Sequence, residues 1–352
     1  MEAVYRWRVD IVNIERYIDV DIDNMLQPIQ EVSVERASRP AAGIVARLWD
    51  IDAPLTGASL FMLAALVVAA VGLWLDPRTI TGAPAWLKPA KFAFSTGIYS
   101  ITLVWILSYL PQWPRLRRVA GRTTAAMFVL EVGIIFLQAW RGTTSHFNVG
   151  APLDAALFGI MGTGILAQTV AAAAVAVALW RQRFADRAMG LALRLGLTIS
   201  VLGSTTGGLM TMPTSGQLAQ VRDTGAMPLS GAHTVGAPDG GPGVAVTGWS
   251  VDHGDIRVPH FVGLHAMQAL PLLALALRRR RDTTQIRLAI VGAAGYLSLF
   301  ALLLWQALRG ESFVQPGGLT VVALVVWAVL LVAGSALAGM RGSIDRIRPV
   351  SL

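Results

Sequence analysis

Five histidines carry the most versatile chemistry in this chain: His146, His233, His253, His260 and His265. Imidazole is the commonest metal ligand and titrates near neutral pH. Beside Asp239, Asp252 and Asp255 these side chains can build either a His/carboxylate metal site or an acid–base centre. His146 lies in Arg141-Gly-Thr-Thr-Ser-His-Phe-Asn148, and His233 precedes a Gly/Pro-rich turn over 236–243. His253, His260 and His265 fall within 249–265, with Pro259 suited to a first helical position and His265 one turn deeper than His260. Five residues is about 140° around a helix, so His260 and His265 do not share a face. The chain has no His-x-x-x-His or His-Glu-x-x-His pair. Spacing therefore leaves two roles open: ligands of a divalent metal (His146, His260 and His265 with Asp255), or hydrogen-bonding groups that cap helices and loop carbonyls.

One carboxylate, Glu131, sits well inside an apolar run, with Gln138 almost directly above it on the same helix face and Arg141 and His146 further out. An ionisable group in hydrocarbon is a functional-site hypothesis by default. It can carry protons, pair with an inward-facing Lys or Arg, or act as hydrogen-bonded packing. Tyr99, Gln168, His265, Gln268 and Gln306 add polar lining, although each Gln also suits a simple interhelical hydrogen bond. Lys88, Lys91, Arg141, Arg257 and Arg309 abut helix ends on the same side as the histidines. Together they suit an anionic ligand. Snorkelling, or pairing with Asp154, Asp255 or Glu311, accounts for any one of them.

The elements that position these residues are membrane spans. Only 14% of the residues are charged and 54% are hydrophobic, with a mean hydropathy of +0.57, where a soluble domain carries about 25% charged residues. Eight apolar runs are long enough to cross a bilayer, near 56–75, 92–110, 123–140, 154–180, 189–211, 260–277, 287–308 and 319–340. The predicted architecture is an all-α integral membrane protein of eight transmembrane helices. Short loops rich in Lys and Arg mark the cytoplasmic side. Simple alternation puts 22 of the 29 Lys and Arg on one side, with both termini, and all five histidines on the other. This divides the chain into a cytoplasmic tail (1–55), a first four-helix half (56–180), a second half (181–340) with an extracytoplasmic loop at 212–258, and a basic tail (341–352).

The two halves share a weak signal. Gln138-Ala-Trp-Arg-Gly142 recurs as Gln306-Ala-Leu-Arg-Gly310, an offset of 168 residues, and Lys91-Phe92 aligns with His260-Phe261 after one residue of slip. An even number of spans per half predicts parallel repeats about an axis along the membrane normal. The N-terminal tail is acidic, with 6 Arg against 10 Asp and Glu over 1–55, and shows no apolar core of a signal peptide. Its seam of Val4, Trp7, Ile11, Ile14, Ile18 and Met25 fits a helix that meets a protein partner or the chain's own basic loops, or else a frayed extension.

No cysteine is present, which excludes disulfide scaffolds, thiolate metal sites, iron–sulfur clusters and covalently attached c-type haem. There is no Walker A loop, no Gly-x-Gly-x-x-Gly and no nucleophile elbow, and the Arg runs abut spans rather than form a nucleic-acid surface. The leading expectation is a pocket at the outer leaflet of a bacterial cytoplasmic membrane, covered by the 212–258 loop. There Lys91, Arg141, Arg257, Arg309 and Gln268 bind a small anionic or lipidic substrate, and His146, His260, His265 and Glu131 supply acid/base or metal-assisted catalysis. Two other classes stay open: a proton-coupled secondary transporter, favoured by Glu131 and the repeat, and a haem- or quinone-linked redox protein. The last needs two histidines at matching depth, and only His265 lies inside a span, so a divalent metal ranks ahead of haem as cofactor.

Overall fold

The computed structural model describes residues 43–344, and these are helical apart from two short two-stranded ladders. The amphipathic seam expected over 4–25 lies outside the described residues. A short helix, α1 (Ile44–Ile51), leads into α2 (Ala53–Leu75). The hairpin β1 (Thr79–Ile80) and β2 (Ala83–Pro84) precedes α3 (Leu87–Leu107), α4 (Pro114–Arg141), α5 (Pro152–Arg181) and α6 (Arg187–Met210). A long loop then carries α7 (Ser215–Thr224) and the ladder of β3 (Thr234–Val235) and β4 (Gly254–Asp255). The chain ends with α8 (Arg257–Leu264), α9 (Ala266–Leu277), α10 (Asp282–Leu308) and α11 (Gly318–Ile344).

Seven of these helices (α2 to α6, α10 and α11) are long and apolar enough to cross a membrane, and α8 with α9, bent by 45°, completes an eighth when taken as one span. The chain is thus a multi-pass helical protein. The long helices start earlier than the apolar runs, two of them for a local reason. Proline opens α4 and α5, where its missing N–H costs nothing. As a result Arg115, Arg117, Arg118 and Arg122 belong to the first turns of α4, not to a loop. Likewise α3 begins at Leu87 and brings Lys88 and Lys91 onto a helix. Asp side chains cap α2 and α6: Asp52 accepts from the Leu55 N–H at 2.9 Å and Asp186 from the Met189 N–H at 2.9 Å.

The bent pair α8/α9 differs most from expectation. Helix α8 starts at Arg257, so Pro259 is its third residue, and the helix breaks at His265. A break in hydrocarbon leaves backbone carbonyls that need partners. The Tyr296 hydroxyl donates to the Val262 carbonyl at 2.6 Å, and the Ser200 hydroxyl donates to the Leu264 carbonyl at 2.9 Å. Gly203 and Gly263 allow α6 and α8 to meet backbone to backbone at this level, since a Cβ on Gly203 would fall 2.5 Å from the Gly263 carbonyl carbon.

Helix α2 packs on α3 and α4, α3 on α4, and α4 on α5; in the same order, α6 packs on α8/α9 and α10, α8/α9 on α10, and α10 on α11. Contact between α5 and α6 joins the two sets. The largest apolar core, with Leu103, Leu107, Leu179, Leu193, Leu197 and Met267, fills the half of the bundle nearest the Arg-rich loops. Towards the opposite end, under the long loop, smaller apolar clusters around Ile135 and Met161 and around Phe147 and Ile256 alternate with buried polar groups such as Glu131, Gln138 and Asp154.

Candidate functional site

The site starts from how α4 ends. Gly142 adopts a left-handed conformation (φ 75°), the Gly142 N–H donates to the Ala139 carbonyl and the Thr143 N–H to the Gln138 carbonyl. This reversal closes the helix, and Phe147 takes a positive φ of 65° just beyond it. The chain thereby folds His146 back over its own helix. His146 Nε2 lies 3.4 Å from Glu131 Oε1, and Nδ1 lies 3.1 Å from the Ser145 hydroxyl. Glu131 is 4% exposed, ten residues before the end of α4. A neutral ring with its proton on Nε2, on the side that faces the carboxylate, leaves Nδ1 to accept the Ser145 hydroxyl proton. The rings of Phe92 and Phe158 stand 5.5 and 6.4 Å from the imidazole. Burial holds His146 below its ordinary histidine value, helped by the Lys88 charge and opposed by Glu131.

Lys88, in the first turn of α3, stands 5.9 Å over the Phe92 ring and within electrostatic reach of Glu131, His146 and Asp239. It makes no hydrogen bond or ion pair among the described residues. The bases expected to bind an anion are, by contrast, already engaged. Arg141 meets Asp154 and the Gln138 side-chain carbonyl, each at 2.5 Å. Lys91 donates to the Thr247 carbonyl at 2.7 Å, Arg257 pairs with Asp255 at 2.6 Å and donates to the Gly248 carbonyl, and Arg309 pairs with Glu311 at 2.7 Å. A hydrogen bond from Thr320, the Gly317 N–H and the Arg309 charge hold the Glu311 carboxyl below the usual range. Gln268 donates to Thr102 at 3.2 Å and so ties α9 to α3. Of Lys88, Lys91, Arg141, Arg257 and Arg309, Lys88 is the one without such a partner among the described residues.

The expected metal group does not assemble. Among the described residues no three His, Asp or Glu side chains come together in a way that can hold a metal. His146, His260, His265 and Asp255 each serve a different local partner. His260 Nδ1 donates to the Gly203 carbonyl at 2.9 Å and lies 3.1 Å from the Thr206 hydroxyl. His265 sits at the helix break, its ring 4.2 Å from that of Phe261. Asp255, 3% exposed, is filled by Arg257 and the Ser250 N–H.

The 212–258 loop is an ordered cap. A capping box between Thr214 and Gln217 starts α7. Backbone bonds from Val149 to Pro228 and from Ser230 to Phe147, with the Lys91–Thr247 and Ser312–Ser250 contacts, fasten the loop to the start of α3, the α4–α5 turn and the segment after α10. Its hub is Asp239, which accepts from the backbone N–H groups of His233 and Thr234 and lies 2.5 Å from His233 Nδ1. The Phe147 ring, 4.8 Å from that of His233, links this hub to the His146 turn. Sequence reasoning grouped Lys88 with the other bases and passed over Ser145. The adjacency of Ser145 and His146 is the one signal it had.

Acid should loosen this cap. Burial pushes the His233 imidazole down to about 4; Asp239 opposes that shift, while the Lys88 and Arg257 charges add to it. Burial disfavours the Asp239 charge, yet the His233 ring and two backbone N–H groups outweigh it and hold the carboxyl well below its usual value. A released His233 titrates near 6.5, so the open cap binds a proton that the closed cap refuses. Stability of the closed cap is therefore full above about pH 6.5 and falls as pH drops from there towards about 4. Asp239 adds a loss of the same sign at lower pH. Amide hydrogen exchange over 229–256, corrected for intrinsic rates, should quicken at pH 5 relative to pH 7.5; equal protection at both contradicts this. No protein-family model, curated protein or solved structure matches the chain, so its function has to be read from this geometry.

Proposed function

We propose that this protein is a membrane enzyme with an acid–base site at its loop-capped end, acting on a small anionic substrate with an apolar part. The observation that carries the reading is the Glu131–His146 pair beside Lys88, buried in the helix bundle beneath the cap. Lys88 takes the anionic group by a charge-assisted hydrogen bond. His146, held neutral by burial, exchanges a proton with the substrate; Glu131 offsets the charge that results and Ser145 fixes the ring. Phe92 and Phe158 exclude water and suit hydrocarbon, which favours a lipidic substrate. The Arg-rich loops on the far side orient the site towards the extracytoplasmic face of a bacterial cytoplasmic membrane. Metal assistance is not part of the proposal, because the candidate donors do not converge.

Binding of decyl phosphate and of decanol to the detergent-purified protein tests this directly. The phosphate should bind more tightly, and Lys88→Met should weaken it roughly 10- to 100-fold, the range of a hydrogen bond to a charged group, while leaving decanol unchanged. Phosphate binding should strengthen below pH 6.5 as His146 gains its proton, and His146→Gln should flatten that rise. Equal affinity for both probes, unaffected by Lys88→Met, overturns the site.

A proton-coupled transporter is the second reading, and recurrence between the halves is what favours it. The Gly142 turn repeats at Gly310 (φ 75°), where the Gly310 N–H donates to Ala307 and the Glu311 N–H to Gln306. Ser59 donates from α2 to the Gly97 carbonyl of α3, as Ser200 does from α6 to Leu264. With the shared order of helix pairing, these matches support two parallel four-helix repeats. The apolar core that closes the Arg-rich end weighs against a through-path. Glu131-dependent, proton-driven uptake into liposomes would favour the transporter over the enzyme.

A further inference from the structure

At the Arg-rich end, a cleft of about 240 Å³ opens between the α1–α2 junction and the start of α4. Its lining includes Asp52, Pro54, Pro114, Arg117, Arg118 and Arg122. We infer that this cleft binds the phosphate headgroup of an anionic phospholipid whose acyl chain runs down the lipid-facing stripe of α4.

The charge in the cleft is unbalanced. Asp52 is the single carboxylate of the lining against three arginines, and it is occupied as the cap of α2. Arg117 donates to the Ile51 carbonyl at 3.1 Å, whereas Arg118 and Arg122 are exposed and make no hydrogen bond or ion pair among the described residues. The two residues are four apart, which puts them on one face of α4. That geometry suits phosphate, for which arginine offers paired donors.

The surroundings select a lipid over a soluble phosphate. The cleft is smaller than the roughly 300 Å³ at which drug-sized ligands become enclosed, so an occupant must leave most of itself outside. Below Arg118 and Arg122 the same face continues through Ala126, Val129, Gly133 and Leu137, all exposed, and nothing stands within 4 Å of a Cβ on Gly133. This gives the arginine pair an apolar channel at its foot. Beside the cleft, α1 exposes Ile44 (74%), Val45 (46%) and Trp49 (48%), the composition of a helix seated at the headgroup level.

The test is lipid retention by the full chain, measured by native mass spectrometry after reconstitution with equal amounts of phosphatidylglycerol and phosphatidylcholine. Phosphatidylglycerol should be retained preferentially. Arg118→Gln/Arg122→Gln should reduce that preference roughly 30-fold, from about 1 kcal/mol per surface arginine, with an unchanged melting temperature. Arg181→Gln/Arg183→Gln removes two arginines at the same end outside the cleft, and should leave the preference intact. Millimolar inorganic phosphate should not displace the lipid. Equal losses in the two double variants reduce the effect to general surface charge and overturn the site. Displacement by free phosphate overturns the lipid as its occupant.

Discussion

Gly203→Val is expected to prevent recovery of a folded, monodisperse protein, and Gly203→Ala to lower its stability by roughly 1–3 kcal/mol, the usual cost of an extra methyl in a filled core. The atoms a side chain would meet here are backbone: the Gly263 Cα and carbonyl carbon and the Leu264 nitrogen, all within 2.7 Å of a Cβ. Backbone cannot rotate aside, so α6 and α8 must separate. Separation also breaks the His260–Gly203 bond at 2.9 Å and the Ser200–Leu264 bond at 2.9 Å, the second of which caps a carbonyl at the helix break. The opposite sign is expected at Gly162 in α5, where a Cβ meets nothing within 4 Å. There Gly162→Ala should gain several tenths of a kcal/mol, up to about 1, from helix propensity alone. Melting in detergent, followed by light scattering, measures all three variants. A Gly203→Val protein that melts like the parent disproves the close approach of these helices.

The spans were legible because hydrocarbon thickness sets helix length, and runs such as 319–340 satisfy it without any tertiary information. Their starts were less so: Arg115 to Arg122 read as loop by charge, although Pro114 is a helix-opening residue. The break at His265 left no mark, since the apolar run is continuous there and the compensating hydroxyls of Ser200 and Tyr296 lie 65 residues before and 31 after. At the site, Glu131 and His146 could be named from their residue types and depth. Their contact could not, because it depends on left-handed conformations at Gly142 and at Phe147, a residue type that rarely adopts one. The anion-binding role was assigned to bases by proximity to helix ends. Partners such as Asp154 for Arg141 were visible as alternatives, and only the folded chain decides which base is left over.

Glu131→Ala should destabilise the protein by roughly 1–3 kcal/mol, the cost of taking its partner from a buried polar group. The carboxylate lies 3.4 Å from His146 Nε2 and within electrostatic reach of the partly buried Lys88, with which it forms no direct ion pair. The origin of the loss can be isolated. If it is the Lys88 charge left without compensation, Lys88→Met in the Glu131→Ala background should recover most of the stability, whereas Lys88→Met alone should cost less than Glu131→Ala. A purely packing role for Glu131 gives additive losses in the double variant instead, and that outcome disproves the electrostatic coupling. The same cycle reads the chemistry. Glu131 opposes the burial that lowers the His146 value, so removing it should push the imidazole further down. The rise in decyl phosphate affinity on acidification should then move to lower pH in Glu131→Gln, which keeps the side-chain volume. Stability rescued by Lys88→Met together with this displaced pH profile means that one carboxylate serves both ends: it neutralises the lysine that holds the ligand and sets the proton affinity of the histidine that acts on it.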